Sequence, residues 1–113
     1  MFVAMQIRYG LMTYIEICSM LKKSAEVKWA EKTLKTLDKK IEKFGWDGKW
    51  YLRAYDESGV KLGSKESKQG SIYLNPQSWA VLSGHADKKR SEKIMDVVNK
   101  KLMTEYGLSL IHI

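Results

Sequence analysis

The sequence predicts a mostly α-helical protein of about four helices, and three observations support this fold class. Apolar residues recur at steps of three and four in several segments, which is the period of an amphipathic helix. Residues 45–74 interrupt this period with glycines, aromatic residues and polar turns. A length of 113 residues with 44% hydrophobic residues allows one small domain with a modest core. We therefore expect helices on both sides of a short β-hairpin or irregular excursion.

The first two helices are predicted to form an αα-hairpin over residues 6–44. Apolar residues follow helical spacing in residues 6–22 and again in residues 27–44. Ser24 offers an N-cap oxygen to the second helix, and Gly45 is a suitable C-cap. Because only a few residues join the two helices, we expect them to lie antiparallel and to share one core.

The excursion over residues 45–74 contains two runs that are typical of β-strands. In residues 49–55, the side chains Trp50, Leu52 and Ala54 alternate with Tyr51, Arg53 and Tyr55, which predicts a half-buried strand. Residues 71–74 form the second run. The polar loop over residues 63–70 is expected to form a rim beside the functional site.

A second helical pair is predicted over residues 75–106. Asn75 suits the N-cap position and Pro76 the first turn of a third helix, which is expected to end at Gly84. Asp87 is a suitable cap for a fourth helix, which is expected to end at residues 106–107.

The charge pattern argues against a nucleic-acid partner. Lysine and arginine number 20 against 13 acidic residues, for a net charge of +7, but the lysines alternate with acidic residues along the chain. No segment approaches the roughly 18 apolar residues that a membrane span requires. The amino terminus lacks the pattern of an export signal, so we expect a cytoplasmic protein without membrane contact.

The cysteine and histidine content argues against a disulfide or a metal site. Cys18 is the only cysteine, which excludes an intrachain disulfide. His85 and His112 are the only histidines, and they lack the spacing of metal ligands. We expect no metal and no cofactor.

A carboxylate between two tryptophans is the most informative feature of the chain. Trp46, Asp47 and Trp50 are followed by Arg53, and together they supply an acid, flat apolar faces for pyranose rings and a hydrogen-bond donor. Asp47-Gly48 is also a common turn dipeptide, and the aromatic residues could equally belong to the core. The residues alone leave both interpretations open.

Three segments in the same order resemble glycoside hydrolase family 94, the cellobiose, cellodextrin and chitobiose phosphorylases. They are Trp-Asp-Gly-x-Trp-Tyr-x-Arg-Ala-Tyr-Asp at residues 46–56, Gly-Ser-Lys-Glu at 63–66 and Asn-Pro-Gln-Ser-Trp at 75–79. The resemblance implies part of a catalytic domain that folds as an α/α toroid of six helical hairpins. It covers nearly the whole chain but only a fraction of a full-length family member, so the chain is expected to be a fragment.

The resemblance also implies an activity. Asp47 becomes the general acid of an inverting glycoside phosphorylase, a glycosyltransferase that cleaves a β-linked oligosaccharide with inorganic phosphate as co-substrate. Asp47 would have to carry its proton near neutral pH, and the tryptophan walls favour this by excluding water. The expected sugar contacts are Trp46 and, with weaker support, Trp50, Tyr51, Arg53 and Gln77. The phosphate-binding residues are expected elsewhere in the family's domain, so the isolated chain should be inactive.

A second interpretation is a free-standing, non-catalytic module that binds carbohydrate or a protein partner through Trp46, Trp50 and Tyr51. Exposed apolar surface distinguishes the two interpretations. A fragment should leave helix faces bare and should self-associate, whereas a module that evolved to stand alone should fold cooperatively as a single species.

Overall fold

The computed structural model describes residues 1–111, and four helices account for most of them. The helices are α1 (Phe2–Met20), α2 (Ser24–Gly45), α3 (Leu74–Leu82) and α4 (Lys88–Leu102). The predicted mostly α fold class with four helices is confirmed. None of the helices within residues 1–111 combines the length and the apolar character needed to cross a bilayer.

Helices α1 and α2 form the predicted hairpin and pack along each other. Helix α1 begins at Phe2, earlier than the predicted residue 6, and Lys22 turns the chain with a left-handed φ of 56°. The N-cap prediction for Ser24 is wrong by one residue, because Ser24 is already helical and Lys23 holds the cap position without a side-chain bond. Gly45 is the last residue of α2.

The excursion between α2 and α3 contains a short β-hairpin, as predicted, but its strands are β1 (Ala54–Tyr55) and β2 (Lys61–Leu62) and not the full runs 49–55 and 71–74. Ala54 pairs with Leu62, and Tyr55 pairs with Lys61. The prediction of a half-buried strand over residues 49–55 is wrong for its first part, because Trp50, Tyr51 and Leu52 are all buried. This segment has protein on both sides, so burial does not alternate. The prediction of a strand over residues 71–74 is wrong, because Leu74 already belongs to α3 and Tyr73 forms an isolated bridge to Ile111.

Helix α3 starts at Leu74, so the N-cap prediction for Asn75 is wrong, and Tyr73 occupies that position. Pro76 lies in the first turn, where its missing N–H costs no helical hydrogen bond. The cap predicted for α4 is confirmed, since the Asp87 carboxylate accepts a bond of 2.7 Å from the Arg90 N–H.

The carboxyl end of α4 differs from the prediction. The helix ends at Leu102 instead of residues 106–107, and the chain continues as a small hairpin of β3 (Met103–Thr104) and β4 (Gly107–Leu108). Gly107 has a φ of 117°, which side-chain-bearing residues rarely adopt, and this allows the reversal.

The main core lies where the excursion meets all four helices. Each helix contributes buried residues, and the excursion contributes two of the aromatic side chains. The cluster consists of Met5, Ile41, Trp50, Tyr51, Ile72, Ala80, Ala86, Ile94, Val98 and Leu102. The segment that carries the candidate acid is therefore anchored at the centre of the molecule by its own side chains.

Candidate active site

Asp47 and Gly48 form a tight turn directly after α2. Gly48 has a φ of 88°, the Asp47 N–H donates to the Trp50 carbonyl oxygen at 3.0 Å, and Trp46 pairs with Tyr51 in an antiparallel bridge. The turn predicted from the Asp-Gly dipeptide is confirmed. The turn leads from Asp47 into the buried segment that begins at Trp50.

The Asp47 carboxylate is buried and held by the loop that follows β2. Its side chain is 4% exposed, and its Oδ2 accepts bonds from the Ser64 hydroxyl at 2.9 Å and from the Lys65 N–H at 2.8 Å. The Lys61 ammonium lies 3.7 Å from Oδ1. The first and second segments of the resemblance therefore meet at this carboxylate.

Asp56, in the next turn, shows what an ordinary turn aspartate does in this chain. Its Oδ1 accepts bonds of 2.8 Å from the N–H groups of Ser58 and Val60, both within four residues, and the side chain is exposed. Asp47 instead bonds to residues 17 and 18 positions away. Turn formation alone does not explain that arrangement.

Trp50, Tyr51 and Gln77 direct their polar groups into the protein. The Trp50 indole N–H donates to the carbonyl oxygens of Gly63 and Ser71. Gln77 Oε1 accepts from the Tyr51 N–H at 2.9 Å, and its Nε2 donates to the Tyr51 carbonyl at 2.8 Å. The third segment of the resemblance therefore holds the first in place. Direct sugar contact by these three residues stays a prediction, and their burial favours a role in positioning the turn.

Arg53 packs against aromatic rings. Its guanidinium lies 4.6 Å from the Phe2 ring centroid and 5.6 Å from the Tyr73 ring centroid. These stacking contacts favour the structural role for Arg53, and substrate contact stays a prediction.

Trp46 is half-buried and lines a groove of about 530 Å³ between the turn and α4. The Arg90 guanidinium lies 4.1 Å from the Trp46 ring centroid, and the Tyr51 ring lies 5.0 Å away. Two tryptophans flank Asp47, and Trp46 is the one that lines the groove, with its ring in contact with Arg90 and Tyr51.

A chain of polar contacts that links α1, α2, His85 and α4 was not predicted from the sequence. Arg8 Nε lies 2.7 Å from Asp38, and the two ring nitrogens of His85 lie 2.9 Å from Asp38 and 3.2 Å from Glu42. Glu42 also binds Arg90 at 2.7 Å. Asp38 and Glu42 are four residues apart on α2, a spacing that places them on one face. Their partners come from other elements, which no spacing could indicate.

These contacts perturb several pKa values. Burial would raise the pKa of Asp38, but hydrogen bonds from Arg8 and His85 outweigh it and hold the pKa below its ordinary value. The bond from Arg90 lowers the pKa of Glu42, and burial raises the pKa of Tyr51. Glu42 in turn raises the pKa of Arg90, so this guanidinium stays charged.

No metal site is visible in the described part of the chain. Residues 1–111 contain no group of three histidine, cysteine, aspartate or glutamate side chains placed to bind one ion. His112 lies outside the described residues, and the absence of a metal or cofactor stays a prediction.

Comparison with known families identifies the class of protein. The model of the glycosyl hydrolase 94 superfamily catalytic domain matches residues 1–112. The chain belongs to this family, which confirms the resemblance carried by the three segments. The toroid of the complete domain and the division of the chain at residues 6–44, 45–74 and 75–106 stay predictions.

The chain is similar to several glycoside phosphorylases. It is 51% identical to the solabiose phosphorylase of Paenibacillus borealis over 56% of this chain and 8% of that protein. It is 42% identical to the cellobionic acid phosphorylase of Neurospora crassa, over 58% of this chain and 8% of that protein. It is 32% identical to the N,N'-diacetylchitobiose phosphorylase of Vibrio proteolyticus, over 90% of this chain and 13% of that protein. The chain therefore spans about a tenth of the length of these relatives.

Proposed function

We propose that this chain supplies the general-acid loop of an inverting glycoside phosphorylase, with Asp47 as the acid. The observation that carries the proposal is the buried Asp47 carboxyl, which Lys61, Ser64 and Lys65 contact, while its chain neighbours Trp46 and Gly48 line a groove. A buried carboxyl next to an aromatic wall is the arrangement that acid catalysis on a sugar requires.

In the proposed reaction, an oxygen of inorganic phosphate attacks the anomeric carbon while the bond from that carbon to the leaving-group oxygen breaks. Asp47 gives its proton to the departing oxygen, and the products are a sugar 1-phosphate of inverted configuration and the free acceptor sugar. Phosphate is already an anionic nucleophile, so no second carboxylate is needed to activate water. The oligosaccharide and phosphate are the only substrates that this scheme needs.

The contacts of Asp47 set a condition on this role. The Asp47 oxygens accept hydrogen bonds from Ser64 and Lys65 and lie near the Lys61 ammonium, whereas the acid step needs a proton on one of these oxygens. The Lys61 ammonium is the contact that substrate can displace, because its side chain is 43% exposed and the distance is 3.7 Å.

The relatives are named as phosphorylases of solabiose, cellobionic acid and N,N'-diacetylchitobiose. We expect a β-linked disaccharide or short oligosaccharide as substrate here as well. The phosphate-binding residues would come from parts of the catalytic domain that these 113 residues do not contain, so the isolated chain would be inactive.

The alternative, a non-catalytic module that binds through Trp46, Trp50 and Tyr51, is supported less well. Trp50 and Tyr51 are buried with occupied polar groups, so only Trp46 of the three lines the groove. One half-buried tryptophan offers a small stacking platform.

The test is phosphorolysis by a polypeptide that joins this chain to the rest of a family 94 catalytic domain. Release of sugar 1-phosphate from cellobiose and from N,N'-diacetylchitobiose is compared between wild type and Asp47→Asn. A general acid contributes about 10²–10⁴-fold, so a loss of that size is expected. Asp56→Asn is the matched control in the neighbouring turn and should keep the activity. Equal activity of wild type and a folded Asp47→Asn would reject the assignment.

A further inference from the structure

The groove beside Trp46 has an unusual charge. Five cationic side chains line it against two carboxylates. The cations are Lys49, Lys89, Arg90, Lys93 and Lys100, and the carboxylates are Asp87 and Asp96. Over the chain as a whole lysines and acids alternate, but here cations predominate on facing elements.

Most of this positive charge has no partner within the protein. Arg90 is engaged by Glu42 and by the Tyr51 hydroxyl, but Lys49, Lys89, Lys93 and Lys100 form no ion pair with any carboxylate among residues 1–111. Asp87, one of the two lining carboxylates, is bonded to the N–H of Arg90 as the cap of α4. The four lysines are therefore available to a ligand.

The cations are spread along the groove. Lys89, Lys93 and Lys100 are four and seven residues apart on α4, which places them on one stripe of the helix. Eleven residues of helix at 1.5 Å per residue extend about 16 Å. A single inorganic anion cannot contact all three, whereas an extended ligand with several anionic groups can.

We infer that this groove binds an acidic oligosaccharide, with Trp46 stacking on a sugar ring and the lysines of α4 and Lys49 pairing with carboxylates along the chain. The inference rests on the proposed function and narrows its substrate class. The ring of Trp46 gives selectivity for a sugar face, and the distributed charge gives selectivity for uronate or aldonate units over neutral ones.

Binding is measured on the 113-residue chain by following the indole N–H signal of Trp46 in a nuclear magnetic resonance titration. The ligands are a β-1,4-linked tri-glucuronate and cellotriose, which differ in the oxidation state of C6. We expect the tri-glucuronate to bind at least about ten-fold more tightly at low salt, because several exposed lysine–carboxylate contacts each add a few-fold. The preference should disappear in 1 M salt, where charges are screened beyond about 3 Å.

Charge reversal tests whether the groove itself is responsible. Lys49→Glu combined with Lys93→Glu should abolish the preference for the tri-glucuronate. The matched control combines Lys32→Glu with Lys40→Glu, which lie beside the exposed Trp29 on α2 and change the net charge equally. The control should keep the preference.

Three results would overturn the inference. They are equal affinity for the two trisaccharides, equal loss of preference in both double variants, or a shift of the Trp46 signal by inorganic phosphate at the same concentrations. The binding assay needs no turnover, so its result is independent of whether the proposed phosphorolysis occurs. If phosphorolysis is absent but the preference for the tri-glucuronate is retained, only the enzyme assignment is rejected. If phosphorolysis depends on Asp47 but the preference is absent, only the inference about the groove is rejected.

Discussion

The motif region, residues 45–79, buries polar side chains, whereas the outer face of α1 exposes large apolar ones. In the motif region, polar groups such as Asp47, Ser64 and Gln77 are buried, and within residues 1–111 no buried side-chain nitrogen or oxygen lacks a hydrogen-bond partner. On α1, large apolar side chains are exposed instead. At least half of the surface is exposed for Val3, Ile7, Tyr9, Ile17 and Met20, and also for Leu21 directly after the helix.

The chain by itself provides hydrogen-bond partners for its buried polar groups, but it does not cover the apolar side chains of α1. The motif region finds its hydrogen-bond partners within 113 residues, so its geometry is defined by the chain. Val3, Ile7, Tyr14, Ile17 and Leu21 lie at steps of three, four or seven, a spacing typical of a helix that packs against another helix. The fragment interpretation predicts an exposed stripe of this kind, and its association with further protein stays a prediction.

Removing a buried polar contact in the motif region should have the largest effect on stability. Gln77→Leu leaves the N–H and the carbonyl of Tyr51 buried without partners, and each such group costs about 1–3 kcal/mol. We expect the free energy of unfolding, measured by urea denaturation, to fall by about 2–5 kcal/mol. Gln69→Leu, an exposed glutamine in the same region, should change it by less than about 0.5 kcal/mol. Similar losses in both variants would show that Gln77 does not hold the turn.

The polar contacts that join Asp38 and Glu42 of α2 to α1, to His85 and to α4 should give a smaller, pH-dependent effect. The pKa values of Asp38 and Glu42 are lowered in the folded chain, so their contribution is complete above the unfolded values of about 3.9 and 4.3. It is lost as the pH falls through the lower folded values. Both carboxylates are partly exposed, so each contributes less than about 1 kcal/mol.

Urea denaturation between pH 2.5 and pH 7 measures this contribution. Asp38→Asn with Glu42→Gln should be less stable than wild type at pH 7, and the difference should shrink in acid. Glu31→Gln, on the same helix and without an ion pair among residues 1–111, should show no such convergence. A constant difference across this range would rule out the ionised carboxylates as its source.

Polar substitutions on the outer face of α1 should change stability least and association most. Ile7→Lys with Ile17→Lys removes two side chains that are 53% and 50% exposed, so the free energy of unfolding should stay within about 0.5 kcal/mol. Self-association, followed by sedimentation velocity over a range of concentrations, should decrease. Gln6→Lys with Thr13→Lys adds the same charge at exposed polar positions and should leave association unchanged. If association decreases in both double variants, the added charge and not the loss of apolar surface would be the cause.

Sequence reasoning succeeded where a feature depends on neighbouring residues. The Asp87 cap and the Asp47–Gly48 turn were both predicted, because each rests on bonds within a few residues. Predictions from the sequence were wrong where contacts with residues distant in the chain determine burial or the start of a helix. The run at 50–52 looked half-buried but is covered on both sides, and Tyr73 rather than Asn75 holds the N-cap of α3.

The same division applies to the candidate site. Family membership and the candidate acid could be read from the sequence, because the three segments keep their residue types and order. The contacts of Ser64 and Lys65 with Asp47, the burial of Gln77 against Tyr51 and the lysine-lined groove could not. They join residues 17 to 26 positions apart or residues on facing elements, and such contacts depend on how the loop and the helices pack. Local patterns thus specified the helices, the turn and the candidate acid, whereas long-range packing decided which side chains contact Asp47 and which line the groove.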